Sequence, residues 1–114
     1  EVADDLEEIA LRLTTLYLEQ ERFDQVLDWQ NEEVETVVTR WNIARALAAL
    51  GKTEEAVSAY QELYEDLKDN PEFLEAYVYL LREAGDVTKA REVANQYLAI
   101  VPDDVQMQTL YDSL

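Results

Sequence analysis

Apolar side chains recur along this chain at steps of three and four residues, the spacing that places them on one face of an α-helix. The first such stripe runs from about Asp5 to Gln20, and Leu11 and Leu18 extend its apolar character onto a second face. Six further segments follow: a short one from Phe23, then about 33–50, 53–67, 71–84, 87–100 and 104–114. No segment is a strand candidate. The pattern therefore predicts about seven helices.

Turn and cap residues separate these segments. Gly51 and Gly85 each follow a periodic segment, where a residue that tolerates positive φ ends a helix. The pair Asn70-Pro71 is typical of a helix start, with Asn as the N-cap and Pro at the first helical position. Asp86 can cap the next helix, which Pro102 ends. Along the chain, a long helix, a tight turn, a second helix and a linker alternate, so pairs of helices form hairpins. Hairpins of this kind must stack on one another to bury their apolar faces.

The chain also repeats itself with a period of 34 residues. Gly51 and Gly85 are separated by this distance, and so are three further pairs: Leu47 and Leu81, Ala56 and Ala90, Leu63 and Tyr97. A turn Gly followed five residues later by a small Ala, on this period, resembles the tetratricopeptide repeat. The first hairpin departs from the pattern, since it lacks the turn Gly and has Val26 at the usual Ala site. Generic helical hairpins are the alternative interpretation.

The resemblance implies an all-α fold, an α-solenoid of antiparallel helical hairpins wound into a right-handed superhelix. Its frame gives one domain over residues 1–114, with repeats at about 7–30, 37–70 and 71–104 and a final helix at 105–114. Because the sequence opens with Glu1 rather than Met, we expect a fragment of a longer protein.

In this family the first helices of successive repeats line a concave groove where ligands bind. Transferred residue by residue, the groove-facing positions would be Leu11, Thr15, Leu18, Val38, Trp41, Arg45, Ala48, Glu72, Glu75, Tyr79 and Arg82. Aromatic rings supply rigid contact area, and Arg can form a fork onto a carboxylate or stack on a ring. The alternative is that Trp41 packs between hairpins and both Arg residues form surface ion pairs.

Composition excludes several chemistries. With 26 acidic against 9 basic residues, the net charge of −17 disfavours nucleic acids and anionic membranes as partners. The chain has no Cys and no His, so thiolate metal sites and the usual catalytic triads are impossible. Carboxylates cluster at Asp4-Asp5, at 32–35 and at Asp103-Asp104, without the spacing of a calcium loop. We therefore predict no enzyme, no cofactor and no metal.

The sequence favours a scaffold that binds a protein or peptide of unknown identity along the groove. The alternative is a structural segment of a longer repeat array, which stacks on neighbouring repeats or self-associates through its open ends. The final segment, with Met107, Leu110 and Tyr111, motivates that alternative. The absence of Cys and of any apolar run near the roughly 20 residues of a membrane span favours a cytoplasmic, bacterial protein.

Overall fold

The computed structural model describes residues 2–30 and 36–114, with side chains from residue 7 onward. This part of the chain forms seven helices and no strand, which confirms the all-helical prediction. The helices are α1 (Val2–Glu19), α2 (Phe23–Leu27), α3 (Val37–Ala49), α4 (Thr53–Leu67), α5 (Pro71–Glu83), α6 (Val87–Ile100) and α7 (Val105–Ser113).

Two helix beginnings differ from the apolar pattern. Helix α1 begins at Val2, three residues ahead of the predicted Asp5. The predicted beginning of α3, about Glu33, lies outside the described residues. Within them, Thr36 is extended and its hydroxyl accepts the Thr39 N–H at 3.1 Å. Such an N-cap fixes the first residue of α3 at Val37.

The predicted caps of the later helices are confirmed. The Asn70 side chain accepts the N–H groups of Glu72 and Phe73, and Pro71 occupies the first turn of α5. Asp86 accepts the N–H of Lys89 at 3.1 Å. These oxygens satisfy backbone donors that have no partner within the first turn of a helix.

Three hairpin turns share one backbone geometry. Gly51 and Gly85 have φ of 79° and 87°, and each donates its N–H three residues back while the next residue donates five residues back. Glu21 reproduces this turn between α1 and α2 with φ of 59°. The left-handed conformation is strained for a residue with a Cβ, so the first hairpin carries a cost that the two glycines avoid.

The chain forms two compact units, residues 1–63 and 64–114, and each is described by itself. In the first unit, α1 packs on α2, and both pack on α3. Its buried apolar residues are Ala10, Val26, Trp41, Ile43, Ala44, Ala46, Leu47, Ala56, Tyr60 and Leu63. A polar cluster is buried with them: Asn42 donates to the hydroxyls of Thr14 and Thr15, both at 3.0 Å.

The second unit is built on the α5–α6 hairpin, with α7 packed on α6. Its buried residues are Phe73, Leu74, Tyr77, Val78, Leu80, Leu81, Ala90, Val93, Ala94, Tyr97, Met107 and Leu110. Phe73 and Tyr77 lie one helical turn apart, with ring centroids separated by 5.8 Å. This core is almost entirely apolar and aromatic, in contrast to the polar cluster of the first unit.

Candidate protein-binding surface

One row of residues on α3, the α3 stripe, consists of Val38, Trp41, Arg45 and Ala48. Their steps of three, four and three residues keep them on one side of the helix. Val38 is exposed, Arg45 and Ala48 are half-buried, and the Trp41 side chain is only 7% exposed. Trp41 is therefore a supporting residue within this stripe rather than a projecting anchor.

Arg45 is held against Trp41 by stacking. Its guanidinium carbon lies 3.7 Å from the centroid of the indole ring, one helical turn away, which is a cation–π contact at short range. The indole Nε1 donates to the hydroxyl of Tyr60 in α4 at 3.2 Å. Burial raises the pKa of the Tyr60 phenol, although its bond to Trp41 acts in the opposite direction. From the interior to the surface, the Tyr60 phenol, the Trp41 indole and the Arg45 guanidinium thus follow one another in space.

The α1 residues of the predicted groove belong to the same unit. Leu11, Thr15 and Leu18 are all half-buried. Thr15 accepts a hydrogen bond from Asn42 of α3, so this α1 member of the predicted set contacts α3 through a residue outside the set. Sequence reasoning missed Asn42. An amide between Trp41 and Ile43 in an otherwise apolar stretch was the available signal, because such a residue needs buried partners.

The corresponding row on α5, the α5 stripe, consists of Glu72, Glu75, Tyr79 and Arg82. Tyr79 is 39% exposed, Glu72 and Arg82 are exposed, and Glu75 is half-buried. The Arg82 guanidinium lies 5.3 Å from the centroid of the Tyr79 ring. The α5 stripe, unlike the α3 stripe, offers the aromatic ring itself to solvent.

Arg45 and Arg82 differ from the ion-paired cations in their partners. Arg91 also lies over a ring, 5.8 Å from the centroid of Tyr111, but it donates a hydrogen bond to the Leu114 carbonyl. Arg12 pairs with Glu8, Arg40 with Glu62 and Lys68 with Glu65, at 2.8, 3.7 and 3.2 Å. Within the described part of the chain, the salt bridges include neither Arg45 nor Arg82. Both guanidinium groups lie over rings, which leaves their edge N–H groups available to an external acceptor.

A hydrogen bond beside the α5 stripe joins α6 to α7. The Tyr97 hydroxyl donates to Asp104 Oδ2 at 2.6 Å, and Asp104 Oδ1 accepts the Met107 N–H that begins α7. The bond to Asp104, assisted by burial and by the charge of Glu75, raises the pKa of Tyr97 to about 12. The same bond lowers the pKa of Asp104. Asp104, one of the clustered carboxylates, therefore acts as a cap.

The remaining acidic groups form no cation site in the described residues, where no three carboxylates converge. Asp4-Asp5 and the acidic residues at 32–35 lie outside the side chains that the structure describes. None of the described helices is both long enough and apolar enough to cross a membrane.

Helical hairpins with left-handed turns on a 34-residue period define a helical-repeat protein. Residues 38–104, more than half of the chain, match the family described as YpiA-like, C-terminal tetratricopeptide repeats, and the chain belongs to that family. No curated protein matches the chain. Tetratricopeptide repeats are helical scaffolds that commonly mediate protein interactions and are typically not catalytic.

Proposed function

We propose that this chain binds peptide segments of other proteins through the α3 stripe in the first unit and, separately, through the α5 stripe in the second, with Arg45 and Arg82 as the carboxylate-binding groups. The observation that carries the proposal is the state of these two arginines. In a chain with 26 carboxylate side chains, both lie on aromatic rings and neither enters a salt bridge with a described residue.

Stacking favours this role on energetic grounds. An arginine that must be ordered on binding loses side-chain entropy, on the order of 1–2 kcal/mol. Arg45, held 3.7 Å above Trp41, is already partly ordered. When Arg45 binds a carboxylate, it therefore loses less side-chain entropy than a free surface arginine does. Arg82 is held more loosely, at 5.3 Å from Tyr79.

The two stripes have different tasks in this proposal. Tyr79 is exposed and can cover an apolar side chain of the ligand, as aromatic residues do at binding hot spots. Trp41 is buried and positions Arg45 instead of touching the ligand. Substitution of Trp41 would therefore mix a loss of stability with a loss of binding, so Arg45, Tyr79 and Arg82 are the informative positions.

The net charge limits the ligand further. A field of −17 charges repels strongly acidic segments at long range. The segment that fits best has a neutral or basic sequence with one or two carboxylates at fixed positions. Selection from a random peptide library displayed on phage tests this, since peptides enriched by the chain should share such a carboxylate.

The decisive comparison uses the double variant Arg45→Lys, Arg82→Lys, which keeps both charges but loses the planar fork and the stacking. We expect the enriched peptides to bind it about 10-fold more weakly or worse, because a hydrogen bond to a charged group contributes roughly 1.5–3 kcal/mol. Arg12→Lys is the matched control, since Arg12 is exposed and paired with Glu8. Equal affinities for all three proteins would refute the proposal.

A further inference from the structure

The α5 stripe has a fixed order of charge along its helix. Glu72 and Glu75 lie at its N-terminal end, followed by Tyr79 and then by Arg82 at its C-terminal end. All four share one side of α5, since successive members are three or four residues apart. Tyr79 is 39% exposed, and neither Glu72 nor Glu75 enters a salt bridge with a described residue. A ligand on this stripe therefore meets negative charge, an aromatic ring and positive charge in that order.

The negative end of the stripe is reinforced by the link between α6 and α7. The hydrogen bond to Asp104 is the main cause of the raised pKa of the Tyr97 phenol, and the charge of Glu75 adds to it. Tyr79 acts on the same phenol in the same direction. Two carboxylates from different elements, those of Glu75 and Asp104, thus approach one buried phenol beside the exposed ring. A basic side chain of a ligand is attracted by both of them.

The spacing of these groups matches the rise of a second α-helix. At about 1.5 Å per residue, Tyr79 lies about 4.5 Å and Glu75 about 10.5 Å from Arg82 along α5. A helix that runs antiparallel beside α5 places its residues i, i+3 and i+7, which share one face, opposite these three side chains. In an extended strand, residues i and i+3 are about 10 Å apart but point to opposite faces. A polyproline II segment repeats its face every three residues and leaves no side chain between them to cover the ring.

The direction of such a ligand follows from the dipole of its own helix. In the antiparallel orientation, the acidic residue opposite Arg82 lies towards the N-terminus of the ligand helix, and the basic residue opposite Glu75 lies towards its C-terminus. Both charges are then favourable for the helix that carries them. The parallel orientation exchanges the two charges and makes both unfavourable, so the antiparallel orientation is preferred.

We infer that the α5 stripe binds an amphipathic helix of a partner protein, antiparallel to α5, with an acidic residue at i, an apolar residue at i+3 and a basic residue at i+7. The acidic residue meets Arg82, the apolar residue covers Tyr79 and the basic residue meets Glu75. This inference rests on the proposed role of Arg82 as a carboxylate-binding group. It adds the conformation of the ligand, its direction and its basic residue.

The test uses phage display of an alanine-rich helical peptide in which positions i, i+3 and i+7 are randomised. Peptides selected on the wild-type chain are kept if Arg82→Lys binds them more weakly, since these occupy the α5 stripe. We expect them to carry an acidic, an apolar and a basic residue in that order. Selection on Glu75→Lys should instead favour an acidic residue at i+7, about three- to fivefold over a basic one, as for one exposed ion pair. Glu92→Lys, the same charge change at an exposed position of α6, is the matched control and should select the wild-type pattern.

The helical conformation has a separate test. A Pro at i+5 of a selected peptide keeps all three contact residues but breaks the helix, and should weaken binding about tenfold or more. Equal binding of the Pro peptide overturns the inference, and so does the lack of any preference at i+7 among peptides that depend on Arg82. In both cases the proposed function stands, whereas the absence of peptides that depend on Arg82 removes both.

A second copy of the chain is the competing occupant, because α5 itself carries Glu75 and Arg82 seven residues apart. Light scattering of the free protein over a range of concentrations decides between the two. A monomer supports the partner helix. A dimer that Glu75→Lys dissociates overturns the inference, since the stripe would then bind its own counterpart.

Discussion

The α1–α2 and α5–α6 hairpins reverse direction through the same backbone hydrogen bonds but are stabilised differently. Helix α2 has five residues and α6 has fourteen. In the first unit, α1 is joined to α3 by the buried polar cluster of Asn42, Thr14 and Thr15. In the second, Phe73 and Tyr77 are completely buried in an apolar core. The left-handed turn thus determines where the chain reverses direction. The side chains that hold the helices together differ, since they are polar in the first unit and apolar in the second.

The largest expected effect is on the apolar side of this comparison. Phe73→Ala should lower the free energy of unfolding by about 3–5 kcal/mol, because it leaves a cavity in a closely packed core. Thr39→Ala, at the equivalent position of α3, removes a small side chain and should cost less than about 2 kcal/mol. Urea unfolding followed by circular dichroism measures both. Equal losses would mean that the two cores do not differ in the way described.

Removal of the polar cluster should have the next largest effect. Asn42→Ala leaves the Thr15 hydroxyl without its donor and should cost about 1–3 kcal/mol. Thr14 is less affected, since its hydroxyl also donates to the Ala10 carbonyl at 2.7 Å. Asn95→Ala, at an exposed position of α6, is the control and should change stability by less than about 0.5 kcal/mol. A loss as small as that of the control would show that the cluster contributes nothing net.

The turns predict effects of opposite sign. Gly51→Ala should cost about 1–2 kcal/mol through its positive φ alone, since an added Cβ would meet nothing within 4 Å. Glu21→Gly should instead raise stability by up to about 1 kcal/mol, because relief of strain exceeds the added freedom of the unfolded chain. Thermal melts of both variants provide the measurement. Glu21→Ala keeps the strain, so a gain as large as that of Glu21→Gly would contradict this explanation.

The smallest effect at neutral pH concerns the link between α6 and α7. The raised pKa of Tyr97 means that its contribution is complete below pH 10 and is lost as pH rises towards about 12. The lowered pKa of Asp104 means that its contribution is present above its usual pKa and disappears as pH falls through the folded value. Tyrosinate absorbance should show a late step near pH 12 that is missing in Tyr97→Phe. An unchanged titration curve in that variant would refute the assignment.

Local chemistry explains why much of the fold was predictable. The caps at Asn70 and Asp86 and the turns at Gly51 and Gly85 act within a few residues of the chain, so their residue types predict their structures. The helical periodicity worked for the same reason. The left-handed Glu21 was not predicted, because its conformation is imposed by the hairpin and not by its own preference.

The candidate site was less predictable, since it depends on contacts between helices. The spacing of the stripes followed from the period, but the burial of Trp41 depends on Tyr60, nineteen residues away. The partnership of Asn42 with Thr14 and Thr15 is likewise not visible from either segment alone. The groove and the division into repeats stay predictions. Substitution of Arg45 and Arg82 is the way to test the groove.

The shared turn geometry has a consequence for how such chains tolerate insertions and deletions. Glu21 lies 30 residues before Gly51, and Gly51 lies 34 before Gly85. The difference of four residues is close to one turn of an α-helix, which contains 3.6. A deletion of that length within a helix rotates the faces of the remaining residues by only about 40°. We therefore expect this architecture to accept insertions and deletions of about one helical turn in the helices between two hairpin turns.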